Sequence, residues 1–115
     1  VPILWHSDGY ITPLLEGAIK AGIKGVQALE PTAGVDLGEV KKTYGNKLVL
    51  VGNVDCVYVL CQPDLEEVRK EVRRCMAQGK EGGGYMLSES NSLHAGCHIE
   101  AVLEMYRYAM EIGGY

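Results

Sequence analysis

The sequence predicts an α/β fold of four successive strand–helix units, and three observations carry that prediction. Four short apolar runs recur along the 115 residues, each followed by a polar cluster and then by a helical stretch closed by glycine. The third run, Leu48-Val49-Leu50-Val51, is apolar at every position, as in a parallel strand covered on both faces. Regular alternation of β and α segments implies parallel strands joined by right-handed crossovers.

The first unit opens at Ile3-Leu4-Trp5 and runs into His6-Ser7-Asp8-Gly9. Thr12 is placed to cap the following helix, with Pro13 at the first helical position, where a missing N–H costs nothing. Leu15, Ala18 and Ile19 form its apolar stripe and Gly22 ends it. The second unit runs Val26-Gln27-Ala28-Leu29 into Glu30-Pro31. Its helix opens on Asp36 and Glu39 at capping-box spacing, flanked by Val35 and Val40 as a hydrophobic staple, and Gly45 follows as the C-terminal stop. The third strand ends in Gly52-Asn53-Val54-Asp55. Asp64 caps the next helix, which carries Leu65, Val68, Val72 and Met76 inward and stops at Gly79. The fourth strand, Tyr85-Met86-Leu87, runs into Ser88-Glu89-Ser90-Asn91. The last helix is expected to turn Ile99, Val102, Leu103, Tyr106 and Met110 toward the core and to end at Gly113-Gly114.

Composition narrows the function classes. A 47% hydrophobic and 23% charged chain is that of an ordinary globular domain. A net charge of −4 without a Lys/Arg run gives no footprint for nucleic acid or an anionic membrane surface. No apolar run approaches the ~20 residues of a membrane span, and no signal peptide is visible. Four cysteines, at 56, 61, 75 and 97, lack C-x-x-C pairing, so reduced thiols in a cytoplasmic protein are expected. The chain opens inside a strand, which reads as a piece of something longer.

In parallel α/β folds, ligands bind beyond the C-terminal ends of the strands. Those ends carry His6 and Asp8, Glu30, Asn53 and Asp55, then Ser88, Glu89 and Asn91, whereas the opposite ends carry mostly Gly, Lys and Glu. Each group also has a plain structural use. Ser7 and Asp8 satisfy turn donors, Asp55 caps the next segment, and Gly82-Gly83-Gly84 precedes a strand rather than following one, so it is no phosphate loop. Ser88 lacks the G-x-S-x-G elbow of a serine hydrolase. Cys56 and Cys61 stand five apart, a poor ligand spacing, and His94, Cys97 and His98 cluster before the last helix without a complete metal pattern.

Taken together, H-S-D-G at the first strand, Y-G-N-K-L-V-L-V-G-N-V-D across the third, and G-G-G-Y-M-L-S-E-S at the fourth resemble the uroporphyrinogen decarboxylase superfamily, which includes corrinoid-dependent methyltransferases. The resemblance covers nearly the whole chain. It implies a (β/α)8 TIM barrel of which residues 1–115 form the C-terminal half, strands five to eight. The H-S-D-G turn is more similar to the methyltransferase-like branch. Zinc-dependent members of that branch present H-x-C at this strand and a second Cys after the last one. Here Asp8 and Asn91 stand at those positions, so only His6 remains and no metal is expected. True decarboxylases carry Gly-His-Gly after the last strand, where Asn91 again replaces the His, and Pro where Cys56 stands.

The reading this supports is an intact parent that moves a methyl group between a corrinoid protein and a small molecule. His6 and Asp8 are its catalytic pair, and Glu30, Asn53, Asp55, Ser88, Glu89 and Asn91 line the substrate pocket. The chain itself binds no cofactor in this reading, since the corrinoid rides on a partner protein. Alternatives are a uroporphyrinogen decarboxylase of porphyrin biosynthesis and a non-catalytic half-barrel module. Alone, the fragment is expected to be inactive. Its partners are expected to be the missing N-terminal half or a second copy, with a compact open sheet as the competing architecture.

Overall fold

In the computed structural model, which describes residues 1–114, the four predicted units are all present. Along the chain run β1 (Leu4–Ser7), α1 (Leu15–Lys20), β2 (Gly25–Ala28), α2 (Leu37–Tyr44), β3 (Val49–Val54), α3 (Leu65–Gly79), β4 (Tyr85–Glu89) and α4 (Ile99–Ile112). The sheet is parallel throughout, in the order β1-β2-β3-β4. All four strands therefore deliver their polar ends to one edge.

Side chains alternate across a pleated sheet, so register fixes which residues share a face. Trp5, Val26, Leu50 and Tyr85 form one row, and His6, Gln27, Val51 and Met86 the next. The first row lies under the helices, where Val26 and Leu50 are fully buried with Leu15, Val40, Val68, Val72 and Met105. Each such side chain stabilises the fold by about 1.5–3 kcal/mol through burial. Among the described residues nothing covers the opposite face: Leu4 and Met86 are 57% and 61% exposed. Four βα units with helices on one face are laid out as half an eight-stranded barrel, not as a doubly covered open sheet. The apolar run of β3 predicts cover on both sides, yet Val49 is partly exposed because its face of the sheet is open.

Two helix starts follow the sequence closely. Asp36 Oδ1 accepts the Glu39 N–H at 3.0 Å, and Val35 and Val40 are buried beside it. Asp64 Oδ1 accepts from the Glu66 and Glu67 N–H groups at 3.0 and 3.3 Å. The entry to α1 differs. Thr12–Leu14 form a 3-10 turn without a side-chain cap, and Leu14 N–H bonds back to the Ile11 carbonyl at 2.8 Å. Backbone groups satisfy one another there, leaving Thr12 nothing to cap. Gly45 keeps a right-handed φ of −62°, so α2 does not end in the left-handed turn expected.

The largest departure is the phase of α4. Its buried face is Ala101, Val102, Met105 and Ala109, while Ile99, Leu103, Tyr106 and Met110 point outward. Glu104 is also buried, held by Arg107 from its own helix and Arg69 from α3. Pairing with Arg69 rotates the helix away from the stripe that apolar periodicity alone selects.

Candidate functional site

β1 and β2 place His6 and Gln27 opposite each other on the open face. His6 Nδ1 is hydrogen-bonded to Gln27 Oε1, and its Nε2 lies 3.5 Å from Asp8 Oδ1. The Gln27 amide oxygen accepts only, so Nδ1 donates to it, and Nε2 faces the Asp8 carboxylate. Both side chains are about half exposed, at 49% and 47%, so a ligand can reach them.

A second cluster adjoins the first. Gly9, turned to a φ of +84°, donates its N–H to Glu30 Oε1 at 3.1 Å, and Asn91 Nδ2 donates to the same oxygen at 3.1 Å. One carboxylate oxygen thus ties the end of β2 to the loops after β1 and β4. The segment before it is strained: Ala28 and Leu29 are buried non-glycine residues with φ of 98° and 55°. Conformations of this kind cost of order 1–3 kcal/mol each, and they collect where a side chain must be aimed. Gly52 lets β3 pass close by, since a Cβ there would lie 2.5 Å from the Ala28 carbonyl oxygen.

Asn53, Asp55 and Glu89 reach the same sheet edge but are engaged elsewhere. Asn53 is fully buried, donating to the Leu29 carbonyl at 2.8 Å and accepting from Arg74 Nη2 at 3.0 Å. Arg74 also bonds Glu71 at 2.6 Å and Gln78 at 2.7 Å, and Glu71 holds it protonated far above its ordinary range. Burial pushes the neighbouring Cys75 thiol up to about 11, and it drives the Tyr85 phenol up as well. Asp55 Oδ1 accepts from the Val57 and Tyr58 N–H groups at 2.7 and 3.0 Å, the capping use its sequence position also allows. Glu89 Oε2 accepts the Tyr106 hydroxyl at 3.0 Å on the helical side, and burial raises that phenol. The Ser88 hydroxyl donates to the adjacent Glu89 carbonyl at 3.1 Å.

The rim the structure assembles is therefore His6, Asp8, Gln27, Glu30 and Asn91. Gln27 is the residue sequence reasoning missed: one polar side chain in an apolar strand reads as ordinary alternation, and only the register with His6 gives it a role. This rim does not fit the zinc set of the methyltransferase branch. It offers one imidazole, and the Asn91 amide is donated to Glu30 where a thiolate would be needed.

The family model for uroporphyrinogen decarboxylase (URO-D) matches residues 1–112. Among curated proteins, the uroporphyrinogen decarboxylase of Pseudomonas entomophila is 31% identical over 88 residues, covering 70% of this chain and 24% of that protein. That of Shewanella piezotolerans is 27% identical over 114 residues, covering 87% of this chain and 32% of that protein. A solved methyltransferase from Methanosarcina mazei superimposes on 98% of this chain and 32% of its own, with a TM-score of 0.81 and 19% identity. The chain thus spans a quarter to a third of the length of these relatives. With four βα units in chain order and a family match over almost every residue, the chain belongs to the uroporphyrinogen decarboxylase family.

Proposed function

We propose that the intact protein containing this chain is a methyltransferase-like member of the family, which moves a methyl group between a corrinoid protein and a small-molecule partner. The observation that carries this reading is the charge of the rim. Asp8 and Glu30 stand there beside one imidazole, and Arg74, which reaches the sheet edge from α3, is taken up by Glu71 and Gln78. A porphyrinogen bearing several carboxylates needs cations where this rim presents anions. The solved relative named a methyltransferase supports the same direction. The curated relatives named uroporphyrinogen decarboxylase favour a second reading, decarboxylation.

In the methyl-transfer reading, His6 acts through Nε2. Gln27 fixes the proton on Nδ1, so Nε2 takes the proton of an acceptor thiol, amine or hydroxyl, and Asp8 faces the imidazolium that results. The corrinoid of a partner protein supplies the methyl group. Glu30, held through Oε1 by Gly9 and Asn91, keeps Oε2 for a donor on the small molecule. Holding acceptor and methyl in line is the larger part of such catalysis, and the strand ends missing from this chain belong to it.

The test uses the full-length parent with methylcobalamin and a panel of small thiols and amines, and separately with uroporphyrinogen. The expected result is demethylation of methylcobalamin that falls about 10²–10⁴-fold in His6→Ala, the usual range for losing a general base. Turnover of uroporphyrinogen without any loss of methyl from methylcobalamin would establish the decarboxylase reading instead.

A further inference from the structure

We propose that Cys61, His94 and Cys97 form a binding site for a thiophilic divalent cation such as Zn²⁺, separate from the rim around His6 and independent of the methyl-transfer reading. The two cysteines and the histidine come from different loops, after β3 and after β4, and their sulfur and ring-nitrogen atoms all lie within 4.8 Å of one another. Cys61 Sγ is 3.7 Å from His94 Nε2. Zn–S bonds of ~2.3 Å and Zn–N bonds of ~2.05 Å at tetrahedral angles put sulfur roughly 3.6 Å from nitrogen and sulfur roughly 3.8 Å from sulfur. The observed cluster needs only a small contraction to close on an ion. Two thiolates and an imidazole suit zinc and its soft neighbours rather than magnesium or calcium. Three protein ligands leave the fourth position to water or to a substrate thiol.

The frame around the cluster is already tied together. His98 N–H donates to the Leu60 carbonyl at 2.8 Å, joining the two loops, and Cys97 N–H donates to the His94 carbonyl at 2.9 Å. Cys61 Sγ donates to the Cys56 carbonyl at 3.0 Å. The four cysteines are free thiols. Gly96 N–H donates to His94 Nδ1 at 3.0 Å, which aims Nε2 at the sulfurs. Ligation through Nε2 moves the ring proton to Nδ1, so the Gly96 bond to Nδ1 opens as the ion binds. His98, adjacent in sequence, is left out of the cluster. Sequence spacing hides the site because Cys61 stands 33 residues from His94.

Cobalt titration of the purified, reduced chain tests the site, since thiolate-bound Co²⁺ shows near-ultraviolet charge-transfer absorption. One Co²⁺ per chain is expected, displaced by Zn²⁺. The band should be lost in Cys61→Ser and Cys97→Ser, weakened at least tenfold in affinity in His94→Ala, and kept in His98→Ala. Circular dichroism of each variant separates a lost ligand from a lost fold, and the His94→Ala affinity carries the test if a cysteine variant misfolds. A reduced chain that takes up no Co²⁺, or a band that survives both cysteine variants, overturns the proposal.

Discussion

At the scale of single residues, the sheet edge divides into side chains free to meet a ligand and side chains spent on the fold. Arg74 shows the second kind: one guanidinium serves Asn53, Glu71 and Gln78 at once, and so fastens α3 to the end of β3. Arg74→Met should take the charged donor from buried Asn53 and from half-buried Glu71 and Gln78, and destabilise the chain by about 1.5–3 kcal/mol, read as a lower urea midpoint with unchanged m-value. Gly52→Ala should cost at least about 1–3 kcal/mol, because it strains a φ of +146° and drives a methyl into the Ala28 carbonyl. Unchanged thermal stability of that variant would show that β2 and β3 do not approach as described. His6, Asp8 and Glu30 are legible from sequence because strand ends in parallel sheets gather chemistry at one edge. The burial of Asn53 is not, since it depends on an arginine 21 residues further along, on a helix whose rotation the sequence leaves open.

Among the elements, α4 shows why periodicity fixes a helix but not its facing. Two apolar stripes run along it, Ala101-Val102-Met105-Ala109 and Ile99-Leu103-Tyr106-Met110, and small residues make the inner one the weaker sequence signal. Glu104 decides the phase: Arg107 donates to it at 2.7 and 2.8 Å and Arg69 adds a third bond across from α3. The strands, caps and staple were legible because they depend on neighbours a few residues away, whereas this contact spans 35 residues. Hydrogen bonds from Arg107 and then Arg69 hold the Glu104 pKa below the ordinary carboxylate value. A depressed carboxylate contributes stability that is present above its unfolded pKa, about 4.3, and is lost as pH falls through the lower folded value. Unfolding free energy should therefore drop on acidification below about pH 4, and Glu104→Gln should flatten that limb while costing about 1–3 kcal/mol at neutral pH. An acid limb of the same slope in wild type and variant would remove Glu104 from the account.

For the whole molecule, the amount of surface is unremarkable and its chemistry is not. The chain exposes 6381 Å², close to the ~6,200 Å² of a compact monomer of this length. Within it, Ile3, Leu4, Val49 and Met86 line the uncovered sheet face, and Tyr106 and Met110 of α4 are exposed beside Leu87 on the helical side. β1 and β4 are both edges, a standing invitation to further strand pairing. The relatives it matches carry about two thirds or more of their length outside the matched segment, whereas these surfaces are open in this chain. For the chain alone, we propose that a second copy fills them, pairing β1 of one with β4 of the other about a two-fold axis to complete eight strands. Burying about 300 Å² of apolar surface on each copy removes about 600 Å² in all, worth roughly 15 kcal/mol, which offsets an association cost of about 4–15 kcal/mol. Light scattering coupled to size exclusion should give twice the chain mass. Met86→Lys combined with Leu4→Lys should return it to a monomer with unchanged far-ultraviolet circular dichroism, because neither side chain lies under the helices. A wild-type chain that stays monomeric over a wide concentration range would reject the paired barrel. In that case the chain alone tolerates its open face in water.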